Sequence, residues 1–162
     1  MSNSSTATIE GVTVSFCGSN DSGAVQVFSG CLKVTGCAIV DNRGDGVVLE
    51  DRDQTAELTL MDSLVFRNGA GGVVQFGGTA FITGNRVQSN VASGIRISPE
   101  NNYGTLFRRV EIVDNVVHGN GNGDVGCMVV VTSTRDLKER VTIKENHFPT
   151  AVAMIYGLSL LF

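Results

Sequence analysis

The chain has 162 residues and a formal net charge of −4, with 20 glycines, 2 prolines and no tryptophan. That length suits one domain whose core is large enough to need no disulfide or metal staple. The acidic balance argues against nucleic acid and anionic membrane as partners, since both demand a basic face, and no run approaches the roughly 18 apolar residues of a membrane helix.

Met1 to Thr8 are polar, with neither a basic start nor an apolar stretch, so no secretory signal is expected and the compartment is left open. Helix is disfavoured throughout, because Ala, Leu, Glu and Lys never gather into a long amphipathic run. Taken in chain order, a degenerate copy of a repeat begins near Ile9 and reaches Val27. A clear copy follows, Leu32-Lys-Val-Thr-Gly-Cys-Ala-Ile-Val-Asp-Asn42 and then Gly46-Val-Val-Leu49. Similar text returns at Leu58–Asn68 with Gly72–Phe76, at Phe81–Asn90 with Gly94–Ile97, and at Val110–Asn120 with Gly126–Val129. A partial copy, Val141-Thr-Ile-Lys-Glu-Asn-His-Phe148, closes the series.

Each apolar-x-apolar piece of the template has a period of two and predicts a very short strand with one buried face. The Gly before the second strand predicts a positive φ or a close backbone approach. Asn42, Asn68, Asn90 and Asn120 share one template position, and Cys37, Ser63, Asn85, Asn115 and Asn146 share another. In a solenoid such equivalents lie about 4.8 Å apart, and their amides can hydrogen-bond up the column. Three apolar columns are expected: Val34, Leu60, Ile82, Ile112, Ile143; Ile39, Val65, Val87, Val117, Phe148; and Val47, Val73, Ile95, Cys127. The first column advances by 26, 22, 30 and 31 residues. A solenoid absorbs this unevenness in loops, here Asp51–Ala56, Pro99–Phe107 and Thr132–Glu139, which should lie one above another on one side.

The segment Ile82-Thr-Gly-Asn-Arg-Val-Gln-Ser-Asn-Val-Ala-Ser-Gly-Ile-Arg-Ile97 resembles the parallel β-helix repeat of the pectin-lyase-like superfamily, and the likeness covers roughly residues 7–150. The resemblance implies an all-β, single-stranded, right-handed parallel β-helix with a triangular cross-section. About six coils are expected in one domain over 1–162, with repeat coils at 7–148 and capping strands at 149–162. The chain departs from the family's enzymes in its few coils and in lacking the usual N-terminal capping helix. The apolar segment 149–162 is expected to cover the open end, or else to form a homo-oligomer interface.

The resemblance also bears on chemistry. The family's lyases use Arg or Lys as a base beside a uronate carboxylate, often with calcium, and its hydrolases use Asp pairs of unequal pKa. Arg96 lies between the inward Ile95 and Ile97 and must point outward, which makes it the catalytic candidate. Gly94-Ile-Arg-Ile-Ser98 is similar to the Arg-Ile-Lys element of polygalacturonases, with Ser98 in place of Lys. The Asn-Thr-Asp, Asp-Asp and Gly-His-Gly elements of those enzymes are missing, so that activity is not expected. Substrate-binding residues are expected at Arg96 and on the loop rim at Asp51, Asp53, Glu100, Tyr103 and Arg108, with Tyr103 able to stack on a sugar ring. The plain alternative is that these loops are polar because they are wet. No metal site is assigned and no cofactor is expected beyond the calcium that the resemblance admits. Asp41–Gly46 fails as a calcium loop, because Arg52 stands where a bidentate Glu is needed. His118 and His147 are expected in solvent. Cys37 and Cys127 fall on inward columns, Cys17 is expected to do the same, and the four thiols are expected to be free.

Three functions remain open. The first is a non-catalytic carbohydrate-binding module for a polysaccharide ligand. The second is a lyase, epimerase or hydrolase of acidic polysaccharide. The third is a structural piece of a tailspike-like oligomer.

Overall fold

The structure is a computed structural model, and it describes residues 5–20, 22–98, 107–121, 129–131 and 140–147. Sixteen strands and no helix occur among these residues. They form three parallel sheets. The first contains β1 (Thr6–Glu10), β4 (Cys31–Thr35), β7 (Glu57–Met61), β10 (Gly78–Thr83), β13 (Phe107–Val113) and β16 (Val141–Lys144). The second contains β2 (Thr13–Ser15), β5 (Ala38–Val40), β8 (Leu64–Phe66), β11 (Arg86–Gln88) and β14 (Val116–His118). The third contains β3 (Gly23–Val27), β6 (Asp45–Leu49), β9 (Val73–Gln75), β12 (Ile95–Ile97) and β15 (Val129–Val131). Each strand pairs with the strand three elements later, so the chain visits the three sheets in turn and returns one layer on. This is a parallel β-solenoid. The described residues complete five coils and begin another, slightly short of the six expected.

The register stacks like on like. Ile9, Val34, Leu60, Ile82, Ile112 and Ile143 form one column, and Val14, Ile39, Val65, Val87 and Val117 form a second. Within these columns Ile39, Leu60, Val65, Ile82, Val87 and Ile112 are wholly buried. Each such side chain contributes about 1.5–3 kcal/mol relative to exposure. Phe148, expected in the second column, lies outside the described residues. The third column needs a correction. It runs Val25, Val47, Val73, Ile95 and then Val129, not Cys127, which lies outside the described residues. Asn90 stands five residues before Ile95, whereas Asn120 stands nine before Val129. The displacement from Cys127 to Val129 is two residues, so the period-two alternation hid it. A second inward column of the third sheet, Val27, Leu49, Gln75 and Ile97, carries the one polar side chain of the inward columns among the described residues.

Two corners repeat one backbone geometry from coil to coil. One residue adopts a left-handed conformation, and the next turns its side chain into the stack, except in the edge coil, where Val12 and Cys17 are exposed. Between the second and third sheets the left-handed residues are Phe16, Asp41, Arg67, Ser89 and Gly119, with φ from 52° to 61°. Between the first and second they are Gly11, Gly36, Asp62, Gly84, Asp114 and Glu145, with φ from 49° to 67°. Asp and Gly suit this conformation, whereas Arg67 and Phe16 adopt it at some cost.

The residues that follow form two ladders. In the first, Asn68 Oδ1 accepts from the backbone N–H (3.3 Å) and Nδ2 (2.9 Å) of Asn42. Asn68 Nδ2 donates to Ile39 O (3.2 Å) and to Asn90 Oδ1 (2.8 Å). The pattern repeats at Asn90 and Asn120. The second ladder runs through Ser63, Asn85, Asn115 and Asn146 in the same way. Cys37 is buried as expected, with its N–H given to Ser63 Oγ at 3.1 Å. Cys17 differs from expectation: it heads the first ladder through its N–H, but its thiol is exposed, because it sits in the edge coil.

The Gly before the inward Val47, Val73 and Ile95 of the third sheet is explained by close approach, while Gly126 lies outside the described residues. Gly46, Gly72 and Gly94 do not have positive φ. A Cβ on Gly72 would lie 2.5 Å from Gly94 O and 2.8 Å from Asn90 Nδ2. Gly36, by contrast, has positive φ and open space around it, and Asp62 occupies the equivalent corner. Gly72→Ala should therefore destabilise the fold by about 2–3 kcal/mol, whereas Gly36→Asn should change it by less than about 1 kcal/mol. Urea unfolding of the two variants checks this, and equal losses would contradict it.

Candidate functional site

With the interior filled, chemistry must lie on the outward faces or at the corners. Arg96 points outward as expected, between the wholly buried Ile95 and Ile97. Its column is Gln26, Val48, Val74, Arg96 and Val130. Val48 and Val74 face outward yet are only 6% and 4% exposed, so the middle of this face is closed to solvent. The guanidinium lies 6.0 Å from the Phe76 ring centre. Asp45, at the start of β6, accepts a 2.6 Å bond from the N–H of Gly71 in the next coil. Burial pushes the Asp45 carboxyl above its ordinary range, against the lowering effects of the Gly71 bond and the Arg96 charge.

The loops that join the third sheet to the first have their described ends along one corner of the solenoid. Asp51, expected on a binding rim, is instead fully buried. It accepts from Ala56 N–H at 2.8 Å and pairs with Arg108 at 3.1 Å. Arg108 is the extra residue of a β-bulge, since Gly78 pairs with Phe107 and Thr79 with Arg109. The bulge re-aims its side chain. The guanidinium then donates to Ala56 O at 2.7 Å, to Gln54 O and to Thr79 Oγ1 at 3.3 Å. Arg108 and Asp51 thus clasp three coils together, and removing Arg108 would leave an unpaired buried charge. Asp53 is exposed, and its Oδ1 accepts from the N–H and hydroxyl of Thr55. Glu100 and Tyr103 lie outside the described residues. Among the described residues no group of three or more His, Cys, Asp or Glu could hold a metal ion. His118 is half-buried on the outward side of β14, and His147 is exposed.

The six-stranded sheet presents a face that the sequence pattern passed over. Its central outward row is Thr8, Lys33, Thr59, Phe81, Glu111 and Thr142. Phe81 is half-buried in mid-row. Arg109 lies 5.6 Å from its ring centre and donates through Nε to Glu111 Oε1 at 2.7 Å. Thr83 in the same strand and Thr59 in the preceding coil are also partly open. The alternation with buried Ile82 could have revealed Phe81 as an outward position.

A family model described as right-handed β-helix region matches residues 1–159. The chain belongs to the right-handed β-helix family. No curated protein and no solved structure matches it. The membership establishes the fold of this β-helix, and a fold of this kind does not by itself fix a function.

Asp45 gives the third sheet a measurable signature. Because its folded pKa is raised, its stabilising contribution is complete below the unfolded value and is lost as pH rises through the folded one. Asp45→Asn retains the acceptor for Gly71 and removes the charge. It should raise the melting temperature at neutral pH, with the gain shrinking as pH falls towards 3.8. A loss of stability at neutral pH would show instead that the pairing with Arg96 outweighs desolvation.

Proposed function

We propose that this β-helix is a carbohydrate-binding module that seats a glycan chain along the outward face of the six-stranded sheet. The observation that carries the proposal is Phe81, a half-open aromatic ring in the middle of a mostly polar outward face, with Met61 and Val113 beside it in the row of Thr83. The C–H face of a sugar ring packs on such a ring by dispersion and burial, and its hydroxyls need paired donors and acceptors. Arg109, Glu111 and Thr59 adjoin Phe81, Lys33 stands one coil further along the row, and together they supply both kinds. Lys33, Arg109 and Lys144 are balanced on this face by Glu10, Glu57 and Glu111, which favours a neutral or weakly charged glycan over a strongly acidic one. The third-to-first corner borders the same face, so the exposed Asp53 belongs to its wall in this reading, while Asp51 and Arg108 hold that wall in place.

A second reading, a lyase or hydrolase of acidic polysaccharide, is favoured by one pair: the partly desolvated Asp45 carboxylate and the outward Arg96. Affinity electrophoresis in gels containing neutral or uronate polysaccharides separates the two. The binding reading expects retardation that Phe81→Ala weakens about tenfold or more and Arg96→Ala leaves unchanged. It expects no unsaturated uronate in ultraviolet absorbance. Retardation that is unaffected by Phe81→Ala, or turnover abolished by Arg96→Ala, would overturn it.

A further inference from the structure

Two members of the first ladder are followed by glycine, Asn68-Gly69 and Asn120-Gly121. The other ladder asparagines precede Arg43, Arg86, Val91, Val116 and His147. Asparagine before glycine is chemically labile, because no side chain hinders attack of the following backbone nitrogen on the carboxamide carbon. We propose that these two pairs are spontaneous deamidation sites that the fold keeps inert, so that the ladder becomes a one-way latch: it closes only on a chain whose asparagines are intact.

The reaction requires only water. The Gly69 amide nitrogen gives up its proton and attacks Asn68 Cγ. The Cγ–Nδ2 bond breaks, ammonia leaves with the proton, and a five-membered imide remains. Water opens the imide at either carbonyl, giving Asp or isoaspartate at position 68.

In the folded chain both reactants are held apart from this path. The Gly69 N–H is donated to Asn42 O at 2.8 Å, and the Gly121 N–H to Asn90 O at 3.0 Å. The Asn68 carboxamide is fixed by four bonds and has no exposed surface. The Asn120 carboxamide accepts from both nitrogens of Asn90 and donates to Val87 O and His118 O, and it is equally buried. Glycine cannot be exchanged for a safer residue at position 69, where a Cβ would lie 2.2 Å from Arg43 O. The fold therefore requires the labile pair and also shields it.

Unfolding removes the shield, and the product cannot rebuild the ladder. A carboxylate at position 68 would set an oxygen against Ile39 O and Asn90 Oδ1, where Nδ2 now donates at 3.2 and 2.8 Å. Acceptor would face acceptor at a fully buried position. Isoaspartate would also lengthen the backbone and break the register of the coil. Chemical change in the unfolded state is a known route to irreversibility, and here it is aimed at the residues on which refolding depends.

The test uses the whole chain. One sample is kept folded and one in urea, both at mildly alkaline pH, and peptide mass mapping follows positions 68 and 120 over time. The urea sample is then returned to native buffer, and the refolded and unrefolded fractions are mapped separately. Deamidation at both sites should be about a hundredfold or more slower in the folded sample. The refolded fraction should carry intact Asn68 and Asn120, with the deamidated chains left in the other fraction. Equal rates in the two samples, or chains altered at position 68 refolding in proportion to their abundance, would overturn the proposal.

Discussion

The structure depends on one arrangement of the side-chain amide. Where asparagines stack, the Oδ1 of one takes the N–H and the Nδ2 of the Asn in the preceding coil, while its own Nδ2 reaches a carbonyl of that coil. The ladder amides make three to five bonds each, from Asn42 to Asn115, in a setting where an unmade one costs about 1–3 kcal/mol. The same contact satisfies the backbone at the corner, where the chain has left one strand and not yet begun the next. Two such columns fasten two of the three corners, and the third corner is left free to vary.

The division of labour across the surface follows from this. In the three middle coils the laddered corners keep one length, because the left-handed residue and the amide after it occupy fixed places, and Gly46, Gly72 and Gly94 sit against the amide of the following coil. The step from ladder residue to third sheet lengthens only in the end coils, to eight residues from Cys17 to Val25 and nine from Asn120 to Val129, and length varies most at the third-to-first corner. The one described loop there is not free either, since Arg108 leaves the β13 register to hold it through Asp51, Gln54 and Ala56. The outward face of the six-stranded sheet is then a rigid array with rows about 4.8 Å apart, a spacing on which side chains from adjacent coils can act together on an extended ligand. Such preorganisation reduces the entropy lost on binding.

Much of this could be read from the sequence, because a solenoid repeats its physics. Val34, Leu60 and Ile82 recur with their neighbours, and an alternation seen five times cannot be accidental in phase. The outward direction of Arg96 follows from the same alternation. What escaped has definite causes. Cys127 and Val129 lie on the same parity, so the pattern could not choose between them. The Asp51–Arg108 clasp joins residues 57 apart through a bulge, and a bulge interrupts the period that would have announced it. Phe81 stands between the inward Ala80 and Ile82, and a hydrophobic letter at an outward position looks like core until the phase is fixed. The burial of Gln75 had no signal, since its neighbours in the column are aliphatic.

Native-state hydrogen exchange on the backbone amides of Asn42, Asn68, Asn85, Asn90 and Asn115 tests the central claim most directly. Each of these N–H groups lies in a corner and has a side-chain oxygen of the next coil as its acceptor. The account predicts that they exchange as slowly as the central strand amides of Leu60 and Ile82, through global unfolding alone. Exchange at the rate of ordinary exposed turn amides would mean that the amide columns do not hold the coils together.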